Sequence, residues 1–205
     1  MIRKKLLKKV REYCSIVMNE GRCSTLPFHN WEHTLDVVHY AKHIAQGEGL
    51  SEASIFELTI AAYFHDLGNE QGAAGHEALS CKYAYNFLKK EGCNMEQINA
   101  VIKLIKATEI SKKPTTVEEQ VLCDADLIHL GTENFSTKNA KLRKEWATFG
   151  DARYTDDEWL AKNITFLKEH SFYTTYAKEK FSPQKIKNLN MLKVQADQKR
   201  RALAE

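Results

Sequence analysis

The sequence predicts an all-α protein, a compact bundle of many helices. Three observations carry this. Apolar residues recur at helical spacing in segment after segment, and no alternating run longer than a few residues interrupts them. Three prolines and nine glycines in 205 residues leave little material for long irregular connections. Side-chain oxygens stand where helices need capping, as in Ser54-x-x-Glu57, Asn94-x-x-Gln97, Thr116-x-x-Glu119 and Thr155-x-x-Glu158.

Residues 2–19 read as a basic amphipathic helix, with Ile2, Leu6, Val10, Tyr13 and Val17 on one stripe and Arg3, Lys4, Lys5, Lys8, Lys9 and Arg11 around it. A surface helix with a solvated basic face is favoured over attachment to acidic lipid or nucleic acid. A loop, Gly21 to Pro27, leads to a helix from about Asn30 to Gln46. At 100° per residue His33, Val37, Tyr40 and Ile44 share one stripe, and Glu32, Asp36, His39 and His43 share another. His33 therefore faces inward with apolar neighbours, while His39 and His43 face solvent. Residues 52–66 are apolar on nearly every side, the mark of a buried central helix capped by Ser51 or Ser54. His65-Asp66 closes it, and Gly68 is placed to stop it.

Asn69 to Gly75 reads as a mobile loop beside the site. Helices follow at 76–90 and after Asn94, the second with Ile98, Val101, Ile102 and Ile105 inward. Another spans about Val117 to Leu130, carries Asp124 and Asp126, and ends at Gly131. Two residues apart on a helix, these aspartates diverge by ~200°, so one is a ligand and the other a supporting or solvent residue. The last third is helical again: 136–149, a helix capped at Thr155, and a final helix started by Ser182-Pro183. Gln195 to Glu205 is mostly polar and reads as a frayed end or a linker to more chain.

Composition bounds the rest. Length and a 43% hydrophobic content suit a single globular domain over 1–205, with the basic helix at 1–20 and the charged tail at 193–205. The net charge of +3 makes no strong case for nucleic acid. Five scattered cysteines without a C-x-x-C point to a reducing cytoplasm rather than a disulfide framework. No run approaches the ~18–20 apolar residues of a transmembrane segment. A homodimer is left open.

The chemistry concentrates in His33, His65, Asp66 and one of Asp124 and Asp126. Imidazoles and carboxylates in this mixture suit one divalent metal ion, whether Mn, Fe, Ni, Co, Mg or Zn. Such an ion lowers the pKa of bound water and neutralises phosphoryl oxygens. His29, one turn before His33, is placed to give a proton to a leaving alkoxide. His76, Glu77, Lys106 and Arg143 are candidate substrate-binding or supporting residues.

The order His33, His65-Asp66, Asp126 resembles the HD superfamily of metal-dependent phosphohydrolases, whose signature is a His, a His-Asp pair and a distant Asp on helices of an all-α bundle. Phe28-His-Asn-Trp-Glu-His33 is also similar to the H-N-x-x-H motif of cyclic-nucleotide phosphodiesterases. The first histidine there is the proton donor and the second a metal ligand, which implies those roles for His29 and His33. The family's last aspartate commonly follows alanine, so Ala125-Asp126-Leu127 implies Asp126 over Asp124. Ile105-Lys-Ala-Thr108, Cys123 to Gly131, Leu142-Arg-Lys-Glu-Trp146 and Phe172-Tyr-Thr174 extend the likeness to a bacterial group of predicted HD phosphohydrolases. Thr108-Glu109 stands where two-metal members often have a further histidine, which implies one metal here. The resemblance covers a core at about 24–192 and implies a hydrolase of phosphate esters, with a small phosphorylated substrate of the nucleotide class. The alternatives are a nucleotide-sensing regulatory module without turnover and a di-iron oxygenase on the same framework.

Overall fold

The computed structural model describes residues 2–150 and 153–202. Among the described residues are nine α-helices and no strand. They are α1 (Ile2–Glu20), α2 (Trp31–Gly47), α3 (Glu52–Phe64), α4 (His76–Lys90), α5 (Met95–Ala107), α6 (Val117–Asp126), α7 (Phe135–Phe149), α8 (Asp156–Glu169) and α9 (Thr175–Ala202). Three short 3-10 turns lie at Arg22–Thr25, Leu67–Gln71 and Ile128–Gly131. Of the polar tail, residues up to Ala202 continue α9, and 203–205 lie outside the described residues. No helix among them is long and apolar enough to cross a membrane. The chain divides into two compact units after Asp126.

The first unit is built around α3. Phe56, Leu58, Thr59 and Ile60 through Phe64 are all buried, and α1, α2, α4, α5 and α6 pack against this helix. Each fully buried side chain such as Leu58 or Phe64 contributes about 1.5–3 kcal/mol. Ser51 caps α3, its hydroxyl accepting from Ser54 N at 3.1 Å. Tyr13, Phe64 and Phe87 join α1, α3 and α4 through ring contacts of 4.7–6.0 Å. The buried face of α1 is Val10, Cys14 and Met18, one position round from the expected stripe, and Ile2 is 86% exposed. The small buried thiol of Cys14 belongs to the core as a hydrophobe would.

In the second unit, Leu130, Phe135, Leu167 and Leu192 form the core, with Leu127, Leu160, Ile164 and Leu189 around it. Pro183 does not start the last helix as the sequence suggests: α9 begins at Thr175 and runs through it. Packing of α9 on α8 and on the 128–131 turn outweighs the local hydrogen bond that proline removes. A Cβ on Gly131 would lie 2.5 Å from Phe181 O, so that glycine permits the close approach of α9.

α6 stops at Asp126 rather than near Leu130, the chain then closing into a 3-10 turn. Its start follows the sequence: Thr116 Oγ1 accepts from Glu119 N at 3.3 Å, and the Glu119 carboxylate accepts from the backbone of Thr115 and Thr116 and from the Thr115 hydroxyl. Lys103 Nζ lies 3.2 Å from the same carboxylate and ties α5 to α6. Burial alone would raise the Glu119 pKa. The hydrogen bonds from Thr115, Lys103 and Thr116 outweigh it and lower the value from 4.5 to about 2. A carboxylate depressed in the folded state stabilises above its unfolded pKa, and that stabilisation is lost as pH falls toward the folded one. Glu119→Gln is expected to destabilise by about 1.5–3 kcal/mol at pH 7. The gap to wild type should shrink as pH drops below 4.5 toward 2, measured by denaturant unfolding across pH.

Candidate metal centre

Three helix ends supply the four side chains. His33 lies in the first turn of α2, whose N-cap Asn30 accepts from His33 N at 3.2 Å and so fixes where the helix begins. His65 and Asp66 directly follow α3, the first helical and the second in the bridge region at φ −106, ψ 2. Asp126 is the last residue of α6.

These four side chains converge. His33 Nε2 is 3.1 Å from Asp126 Oδ1 and 3.4 Å from Asp66 Oδ2. His65 Nε2 is 3.4 Å from Asp126 Oδ1 and 3.3 Å from Asp66 Oδ2. Donor atoms of His33, His65 and Asp66 all lie within 4.8 Å of one another, and all three residues are buried. Ligand bonds of about 2.0–2.2 Å place neighbouring donors roughly 3–3.5 Å apart, so the spacing fits one ion.

The hydrogen bonding fits it too. His65 Nδ1 bonds Ala62 O at 2.8 Å, which leaves Nε2 as the atom facing the cluster. His65 Nε2 and Asp66 Oδ2 are both buried without a hydrogen-bond partner, although they lie 3.3 Å apart. Neither atom is satisfied by a hydrogen bond within the protein, and a cation between them would complete both. For both His33 and His65, burial lowers the pKa, but the carboxylates of Asp66 and Asp126 outweigh it and raise the pKa, well above the usual value for His65. Burial opposes ionisation of the two aspartates, yet the facing histidines hold both below the ordinary carboxylate range. Each side of the cluster thus favours opposite charge across it.

Other expected residues surround this core. His29 precedes the N-cap, outside the helix, with its ring 5.8 Å from that of His33 and 6.5 Å from that of His76. Phe28 packs on both His29 and His33, at 4.9 and 4.8 Å. His76 Nε2 lies 3.1 Å from Asp66 Oδ1, with Nδ1 bonding Ala73 O at 2.9 Å and 3.6 Å from Glu77. Burial lowers the His76 pKa, but its bond to Asp66 and the Asp66 charge prevail and raise it to about 9. Lys106 is exposed in the last turn of α5. Arg143 belongs to the second unit, where its guanidinium bonds Asp156 and Tyr154 O. A cavity of about 530 Å³ there, lined by Arg143, Trp159 and Leu192 among others, contains none of the clustered histidines.

Asp124 is fully buried, which removes the solvent role left open for it. His39 and His43 are exposed and stacked on each other at 5.9 Å, away from the cluster. The stretch read as a mobile loop from Asn69 is in part a 3-10 turn, with Asn69 buried.

Gly68 has a different role from a helix stop. Its φ is not positive, and α3 already ends at Phe64. A Cβ there would lie 2.0 Å from His76 O. Its bare backbone lets the start of α4 reach the segment after Asp66, and Gly68 N donates to Ser80 Oγ at 2.8 Å. Sequence pattern marked the glycine but not this contact, which no local period encodes.

Residues 30–131 match the HD domain family model, and the chain belongs to the HD-domain superfamily. Its fold is similar to the crystal structure of Bacillus subtilis YpgQ in complex with ADP, at 22% identity over 97% of each chain with a TM-score of 0.69. A further crystal structure of YpgQ gives 20% identity, 97% of each chain and 0.70. A predicted HD superfamily hydrolase from an uncultured Thermotogales bacterium gives 17% identity, 95% of this chain, 91% of that one and 0.60. At such identities the likeness shows the fold. No curated protein is significantly similar in sequence. The HD domain supports a metal-dependent hydrolase in general.

Gly68→Ala is expected to displace the start of α4 and cost about 1–3 kcal/mol of stability. The His76 ring should then leave Asp66. Denaturant unfolding checks the first effect, and the loss of the raised His76 pKa in an NMR titration checks the second.

Proposed function

We propose that this protein is a metal-dependent phosphohydrolase acting on nucleotides in the cytoplasm, with His33, His65, Asp66 and Asp126 holding one divalent ion. The observation that carries this is the buried pair His65 Nε2 and Asp66 Oδ2, neither of which makes a hydrogen bond. The ADP complex of YpgQ supports the nucleotide class.

The ion, when bound, supplies the acidity that activates water near neutral pH and the positive charge that phosphoryl oxygens require. The chain's own residues do the rest. His65 is held in one tautomer by Ala62 O, and Asp66 is walled from solvent at 4% exposure. The less buried side of the cluster is formed by Asp126 and His76, whose side chains are 24% and 21% exposed, and substrate approaches there. His76 donates to Asp66 Oδ1 and presents positive charge toward an incoming phosphate. His29, on the loop before α2 and braced by Phe28, gives a proton to the leaving alkoxide.

The test combines metal content with a screen of nucleoside mono-, di- and triphosphates against Mn, Fe, Co, Ni, Zn and Mg. Hydrolysis is expected only with added divalent ion, and it should vanish in His65→Ala/Asp66→Ala. Equal activity in that variant overturns the reading. Tight nucleotide binding without turnover under every metal would make the protein a sensor, and two irons per chain with oxygen uptake would make it an oxygenase.

His29→Ala is expected to lower kcat by about 10²–10⁴-fold while metal content stays at the wild-type level. A parallel loss of metal would make His29 a ligand rather than the proton donor.

A further inference from the structure

Two loops meet behind the metal centre. One leaves α1 and leads through Arg22–Thr25 toward His29 and His33. The other leaves Asp66 through Leu67–Gln71. Glu70 crosses from the second to the first: its Oε2 accepts from Arg22 N at 2.7 Å, and its Oε1 from Cys23 N at 2.8 Å. These amides begin a 3-10 turn that Gly21 leaves without a side-chain cap, so the missing cap comes from 48 residues away. Arg22 crosses in the opposite direction, Nη1 donating to Asn69 O at 2.6 Å. Asn69 in turn gives both its backbone N–H (3.0 Å) and its side-chain amide (3.2 Å) to Asp66 O.

The clamp is therefore reciprocal. Each loop contributes one side chain to the other's backbone, and the chain of bonds ends on the carbonyl of Asp66. Space for it is built in: a Cβ on Gly21 would lie 1.9 Å from Glu70 Oε2. Both ionic groups bond to the main chain of the facing loop, so they fix backbone position where a surface ion pair would not.

We infer that Glu70 and Arg22 are positioning residues that hold the His29–His33 approach loop against the Asp66 segment and so set the ligand geometry for the divalent ion. The assignment rests on the function proposed above. Asp66 sits in the bridge region just after a helix has ended, where no helical ladder holds it. A ligand on such a segment keeps its place through its supporting bonds, and loss of such support typically weakens metal binding by about 10–100-fold.

The test uses the full chain as Glu70→Ala, Glu70→Gln and Arg22→Ala, with Thr155→Ala as a control that removes the cap of α8 in the other unit. Mn²⁺ affinity is read by calorimetry, melting by circular dichroism, and amide hydrogen exchange over 22–29 and 66–71 by mass spectrometry. Glu70→Ala and Arg22→Ala are expected to speed exchange in both loops and weaken Mn²⁺ by about 10–100-fold. Glu70→Gln, which keeps an acceptor oxygen, should recover much of the affinity. Thr155→Ala should lower melting while leaving Mn²⁺ affinity and both loops unchanged. Wild-type affinity in Glu70→Ala, or an equal loss in Thr155→Ala, overturns the positioning role. Wild-type protein that takes up no divalent ion overturns the functional reading, and the positioning role with it.

Discussion

A carboxylate that is 4% exposed governs the first unit. Asp66 stands just past the end of the most apolar helix, and an unpaired charge at that depth would cost several kcal/mol. The structure answers with three imidazoles, from His33, His65 and His76, at 3.1–3.4 Å. Each comes from a different segment, so α2 and α4 must both meet the end of α3. Asp126 then adds a second carboxylate from α6, and two acids confront two core imidazoles. The packing of α2, α4 and α6 around α3 is thus tied to one buried charge as well as to apolar burial.

The helices themselves were legible because their signals are local. Period, N-cap and hydrophobic face are written within one or two turns, and Asn30, Ser51, Asn94 and Thr155 each cap where an oxygen precedes an apolar run. Helical phase also separated His33 from His39 and His43, because an inward imidazole shares its stripe with Val37 and Ile44. What stayed hidden was set across long sequence separations. Gly68 answers to His76 O, Gly131 to Phe181 O, and Glu70 to the amides of Arg22 and Cys23. Pro183 misled for the same reason, since local preference said start and tertiary packing carried α9 eight residues earlier. α6 ran short because its aspartates sit at a terminus that turns tightly, which an apolar period cannot show.

Cavity size and chemistry part company here. The roughly 530 Å³ cavity of the second unit is bounded by Phe135, Trp159, Leu192 and several amides, and its cations are engaged, Arg143 with Asp156 and Tyr154 O and Lys199 with Asp157. The candidate metal centre lies elsewhere, where His33, His65, Asp66 and Asp126 converge. Unsatisfied buried atoms identify it better, because each one marks a favourable interaction that the protein itself does not complete.

The sign of what completes it follows from the carboxylates. Asp66 and Asp126 both stand at the C-terminal ends of their helices, α3 and α6, where the backbone carries about half a negative charge. An aspartate at that end is opposed by its own helix, and two such ends meet at one spot, His65 Nε2 lying 3.4 Å from Asp126 Oδ1. The first turns of α2 and α4, which carry His33 and His76, bring two positive helix ends to the same spot, so the dipoles offset one another and the two carboxylates decide the sign. A cation would meet both carboxylates at once, and the two imidazoles supply neutral donors once their protons are displaced. Folding alone would be better served by apolar residues at these positions. Their placement at helix ends, on turns fixed by Asn30, Gly68 and the Glu70–Arg22 pair, makes sense as a site that stores unfavourable electrostatics for a divalent ion to discharge.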